Sequence, residues 1–212
     1  MIYTGNSTLE YVIAEADLAG AAELSQEKLE PVGDVCYEFL RTGSTRNLVR
    51  ELFQKQAVRT EADLRWRVAQ LLHQVCSERP VLAGLAVHTE FPFPVKLGGR
   101  RAIRRADVVV VDNQDRVAIA VELKLVTRQD AAKDIETLRL LREQHNVQKA
   151  CLCYIVDGRG RASRGRSRLV AEALAEPWAR DYLHEIRYLI HHQDFIRSCK
   201  VLPAWFPDRR RR

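Results

Sequence analysis

The chain has little of what extracellular and membrane proteins rely on. Its 212 residues hold five cysteines, Cys36, Cys76, Cys151, Cys153 and Cys199, an odd number without a C-x-x-C pair. A disulfide framework and a thiolate zinc site are therefore not expected. Cys151 and Cys153, two apart in a strand-like segment, read as small core residues on one face. His184, His191 and His192 near Cys199 satisfy no metal-ligand spacing. No apolar run approaches the roughly 20 residues of a membrane helix. The opening Met1-Ile2-Tyr3-Thr4-Gly5 lacks the basic start and apolar stretch of a secretory signal. The expected address is the cytoplasm, with no membrane partner. No G-x-x-x-x-G-K-[ST] occurs, so a nucleotide-driven motor loop is not expected. Lysine is scarce: 7 of the 34 basic residues are Lys and the rest are Arg.

What is present is an ordinary folded composition, 46% hydrophobic and 29% charged, with a formal charge of +6. Arginine's planar fork suits bidentate phosphate contacts better than lysine's compact ammonium. Two glycine-spaced stretches carry the excess and contain no acid. One has Lys96, Arg100, Arg101, Arg104 and Arg105, and the other has Arg159, Arg161, Arg164, Arg166 and Arg168. A third is the tail Arg209–Arg212. Basic runs are commonly just solvated surface, which suffices for the tail. Two such loops in one chain point to a polyanionic partner.

Helical spacing dominates residues 1–80, broken at residues 42–45 and 57–60. Thr60 is placed to cap a helix over 61–78, ended by Pro80. Short β-branched segments follow at 85–94, 102–112 and 116–126, bounded by turn residues. The patterning then predicts a helix over 129–145, a strand over 150–156 and a helix over 167–176, while 178–200 fits helix or strand. The strands at 107–111 and 117–121 are apolar on both faces, which predicts cover on both sides and a three-layer α/β arrangement. The expected organisation is a helical extension over 1–56, an α/β core over 57–177 and a C-terminal extension over 178–212.

Chemistry concentrates in Arg105-Ala106-Asp107 and Glu122-Leu123-Lys124. A hairpin closed at 112–115, with 111 facing 116, places Asp107 opposite Ala120. Asp107, Glu122 and Lys124 then share one face, the acids diagonal neighbours about 7–8 Å apart. Unpaired acids among apolar neighbours are costly. A divalent cation removes that cost, and Mg²⁺ commonly takes only one or two carboxylates. The plainer alternative is an edge salt bridge between Glu122 and Lys124. In the helix from 61, Leu64, Val68, Leu71 or Leu72, and Val75 form the inward stripe. Glu61 continues it, while Asp63 falls on the wet side. Glu90 is an alternative accessory acid, Gln129 and Lys133 lie where they could reach the site, and Arg105 could hold a phosphate. Trp66 and Trp178 read as core.

This constellation resembles the PD-(D/E)XK nuclease superfamily, whose core is a helix, a three-strand meander, a helix and a returning strand. The order over residues 60–160 matches it, although Ala106 stands where the name has proline. The resemblance implies a three-layer restriction-endonuclease-like core (αβββαβ, mixed sheet) with a helical N-terminal extension. It implies Mg²⁺-dependent, or Mn²⁺-dependent, hydrolysis of phosphodiesters in DNA, with Asp107, Glu122, Lys124 and Glu61 as the catalytic set. Asp107, Glu122, Glu61 and the Leu123 carbonyl would be the metal ligands, and Lys124 would orient water and offset phosphate charge. Nucleic acid would be tracked by Arg100, Arg101, Arg104, Arg105, Arg159, Arg161, Arg164 and Lys133. A homodimer, or docking on a helicase or restriction partner, is compatible with this resemblance. The competing reading is a non-catalytic nucleic-acid-binding or assembly module on the same fold, or a subunit active only with a partner.

Overall fold

The computed structural model describes residues 26–125, 131–157 and 164–194. Three helices come first: α1 (Gln26–Arg41), α2 (Gly43–Gln54) and α3 (Glu61–Glu78). Strands β1 (Ala86–Leu97), β2 (Arg100–Val111) and β3 (Val117–Lys124) follow. Then come α4 (Ala131–His145), β4 (Lys149–Asp157), α5 (Arg164–Ala175) and β5 (Leu183–Ile190). The strands form one sheet in chain order. β1, β2 and β3 make an antiparallel meander, and β4 and β5 add in parallel. Parallel neighbours require crossovers, which α4 and α5 supply. The result is an α/β fold in three layers, as the doubly apolar strands predict. Among the described residues no helix is long and apolar enough to cross a membrane.

Local chemistry sets the helix boundaries. Thr60 Oγ1 accepts from the Asp63 amide at 3.0 Å while the Asp63 carboxylate accepts from the Thr60 amide at 2.8 Å. This capping box starts α3 at the predicted residue. Leu64, Val68, Leu72 and Val75 are the buried stripe. They pack with Leu29 and Leu40 of α1, Phe53 of α2, and Val108, Val110, Val121, Leu123, Cys151 and Cys153 of the sheet. The opposite face joins Val109, Val111, Ala120 and Leu152 to Leu138 and Leu141 of α4 and Val170 of α5. β3 is buried along its length up to Lys124, which is half-buried.

Several contacts fix α1 on the sheet, among them the Asp34–Lys149 ion pair and the stacking of Tyr37 on His184. A Cβ on Gly33 would stand 2.7 Å from the Ala118 carbonyl oxygen, so only glycine permits this approach. Tyr188 of β5 donates its hydroxyl to the Leu40 carbonyl at 2.9 Å. That carbonyl belongs to the last turn of α1, where the helix leaves acceptors unpaired.

Several expectations change. Within the ambiguous 178–200 segment, residues 183–190 form β5, so the sheet runs past residue 177, and α1 and α2 share its apolar cluster. Trp66 is 59% exposed, contrary to its core reading, whereas Trp178 packs against the second cluster. The hairpin register also differs. Val108 faces Val121 and Val109 faces Ala120, with an irregularity between Val110 and Val111. Away from the turn the slip from the expected pairing is two residues, which keeps every side chain on its face.

Candidate active site

The acids gather at the open end of the β2–β3 hairpin. The β1–β2 ladder pairs Thr89 with Val108 and Phe91 with Ala106, and skips the position between them, Glu90 and Asp107. Glu90 has φ of 54°, a left-handed conformation rarely adopted by residues with a Cβ and often found at functional sites. Across this defect strict alternation fails, because Ala106 and Val109 bury in the same cluster.

Asp107 is thereby free to reach both neighbours. Its Oδ2 accepts from the Leu123 amide at 2.8 Å, and its Oδ1 lies 3.2 Å from Nε of Arg65. Arg65 also ion-pairs with Glu90. Glu122 is 5% exposed and hydrogen-bonded to Asp107. Burial, then the charges of Asp107 and Asp134, push its carboxyl well above the usual carboxylate range. Asp134 of α4 is 6% exposed. Burial raises it to about 6 against the opposing pull of Lys124. Its Oδ2 has no hydrogen-bond partner among the described residues. Lys124 Nζ lies 3.2 Å from Glu61 Oε1 and 3.6 Å from Asp134 Oδ1. Burial alone would lower its pKa, but the carboxylates of Asp134, Glu61 and Asp107 outweigh it and raise it.

Carboxylates therefore outnumber cations here: Glu61, Glu90, Asp107, Glu122 and Asp134 against Arg65 and Lys124. A buried anionic surplus attracts either protons or a metal cation. Among the described residues no three His, Cys, Asp or Glu side chains are grouped so as to hold a metal ion. The expected four-member ligand set is thus not assembled, because the ammonium of Lys124 and the guanidinium of Arg65 stand among the carboxylates. The Asp107–Glu122 pair does fit a hard divalent ion, which requires only one or two carboxylates. The unpartnered oxygen of Asp134 adds a buried acceptor beside that pair.

Asp107, Glu122, Lys124 and Glu61 converge, with Glu61 engaged by Lys124. Leu123 buries its side chain on the far face while its amide holds Asp107. Arg100, Arg101, Arg105 and Lys133 are exposed, whereas Arg104 is half-buried with its Nε shielded. Gln129, Arg159 and Arg161 lie outside the described residues, as does the side chain of Arg164 at the start of α5. Sequence reasoning missed Asp134 and Arg65. Asp134 was detectable, because Ala131, Asp134, Leu138 and Leu141 share the buried stripe of α4. Arg65 stands one turn beyond Glu61 on α3, a spacing at which side chains meet.

No family model matches the chain. No curated protein matches it either. Among solved structures, it is similar to the protein VC1899 from Vibrio cholerae, at 17% identity and a TM-score of 0.34, over 96% of this chain and 58% of that one. The chain thus spans a little over half the length of that protein.

Proposed function

We propose that the protein is a Mg²⁺-dependent nuclease hydrolysing phosphodiester bonds in DNA, on a restriction-endonuclease-like core of the PD-(D/E)XK type. The observation that carries this reading is the buried carboxylate surplus around Lys124 at the open end of β2 and β3. Asp107 and Glu122 would hold the ion, with the Leu123 carbonyl as a further donor and Mn²⁺ as a substitute. The ion would supply acidified water and charge neutralisation at the phosphate. Lys124, fixed between Glu61 and Asp134, is positioned to orient water by hydrogen bonding and to offset charge on the phosphoryl oxygens. Glu61 acts here as the aligner of Lys124, while Arg65 ties Asp107 to α3 and the Leu123 amide ties it to β3.

The second reading is a nucleic-acid-binding or assembly module that does not cleave, or a subunit active only with a partner. It is favoured by the engagement of Lys124 with two acids and the absence of a ready three-residue metal group among the described residues. Incubating plasmid and single strands with Mg²⁺, Mn²⁺ or EDTA separates the two. Metal-dependent nicking is expected, reduced by at least about 10³-fold in Asp107→Ala and Lys124→Ala while DNA binding persists. Retardation without nicking would favour the binding module. A fully active Lys124→Ala protein would overturn the assignment.

A further inference from the structure

Beyond the defect at Glu90, the β1–β2 hairpin has two unlike faces. One face is packed: Phe93, Val95 and Ala106 are buried in the α4 cluster. The end of α4 clamps the same ribbon. The Gln144 side chain exchanges hydrogen bonds with the Lys96 main chain at 2.8 and 3.1 Å, and His145 Nε2 lies 2.8 Å from the Pro94 carbonyl. On the other face, Pro92 pairs with Arg105, Pro94 with Ile103 and Lys96 with Arg101. Directly opposed residues share a face, and all six are exposed, Ile103 by 69%.

This face is cationic with an apolar centre. No acid occurs between residues 91 and 106. Among the described residues Lys96, Arg100, Arg101 and Arg105 take part in no ion pair. β1 is the edge strand, and its prolines at 92 and 94 remove N–H donors that another strand would need. The free feature is therefore the ribbon's face, not its edge. A two-stranded ribbon fits the roughly 12 Å major groove of B-DNA. There its flanking arginines would reach phosphates and its central isoleucine would meet base edges. Arg105 stands two residues from Asp107, about 7 Å along the strand, so the groove occupied by the ribbon borders the acidic cluster.

We infer that the free face of this hairpin is a docking surface for duplex DNA, delivering one strand toward the carboxylates. The delivery rests on the proposed nuclease reading, and the docking does not. The test uses the full chain in EDTA and the fluorescence anisotropy of a short labelled duplex across a salt series. R101E/R105E is expected to weaken duplex binding by at least about tenfold and to lower the salt slope by about 2. Ile103→Ser should weaken binding with the slope unchanged. Lys55→Glu at the far end of α2 should stay within about twofold of wild type. Thermal melts check folding, and R101Q/R105Q replaces the double reversal if that variant unfolds. Wild-type binding by both the arginine and Ile103 variants would overturn the docking surface. So would a loss matched by Lys55→Glu, or a loss seen only with anionic vesicles or single strands. If the ribbon variants lose duplex binding while the wild type with Mg²⁺ leaves DNA intact, the nuclease reading falls and the ribbon stands. If cleavage occurs and the ribbon variants bind normally, the ribbon falls and the nuclease reading stands.

Discussion

The two ends of the β2–β3 hairpin treat buried acid in opposite ways. At the closed end Asp112 is 4% exposed, yet its carboxylate is fully matched. It accepts from the amides of Gln114 and Arg116 at 2.9 and 3.0 Å, and from the Arg116 guanidinium at 2.8 and 2.6 Å. At the open end Glu122 is similarly buried, but its nearest partners include two other acids, and Asp134 keeps an unpartnered oxygen. Burial of a carboxylate therefore does not mark a site by itself. What distinguishes the open end is an excess of acid over base, maintained at a cost in stability.

That contrast is broken or sharpened by substitution at each end. Asp112→Ala should cost about 4 kcal/mol in urea unfolding, because it strands two amides and a guanidinium. Glu122→Gln in the metal-free protein should leave the melting temperature unchanged or raise it, while cleavage falls. An equal cost at both ends would erase the distinction.

A smaller effect should appear with pH. The folded pKa of Asp134, about 6, lies above its ordinary value of 3.8. Its contribution to stability is therefore full below about pH 4 and lost as pH rises through about 6, a change of about 3 kcal/mol. Asp134→Asn should flatten this part of the metal-free stability profile. Added Mg²⁺ should raise the melting temperature more at about pH 8 than at about pH 5, because the ion competes with protons for the same oxygens. A profile unchanged by Asp134→Asn would show that the open end carries no such strain. The smallest effect concerns the helix that supports the site. Thr60→Ala removes the cap of α3 and should cost about 1 kcal/mol by thermal melt.

Much of this was legible in the sequence because local rules agree with the fold. Thr60 and Asp63 announce the start of α3, and the doubly apolar β3 announces cover on both sides. The residues that meet at the site follow from an even register slip, so Asp107 and Glu122 find each other although their expected offset was wrong. β5 was ambiguous because Leu183, Ile186, Tyr188 and Ile190 bury at mixed spacings of three and two, satisfying neither period. Trp66 was misread because aromatic residues are usually sheltered, and α3 turns this one outward. Asp134 escaped notice because an acid on an apolar stripe looks like an interruption until the neighbouring strand supplies Lys124.

The Tyr188 hydroxyl, which donates to the end of α1, has a consequence for synthesis. It is translated 148 residues after Leu40, the residue whose carbonyl it caps. At ordinary ribosomal speed that delay is roughly 7–30 s. Throughout it the last turn of α1 lacks this donor, so the contact closes only after β5 has been made, and nascent chains stopped before Leu183 should be cleaved more readily by proteases than chains that include β5.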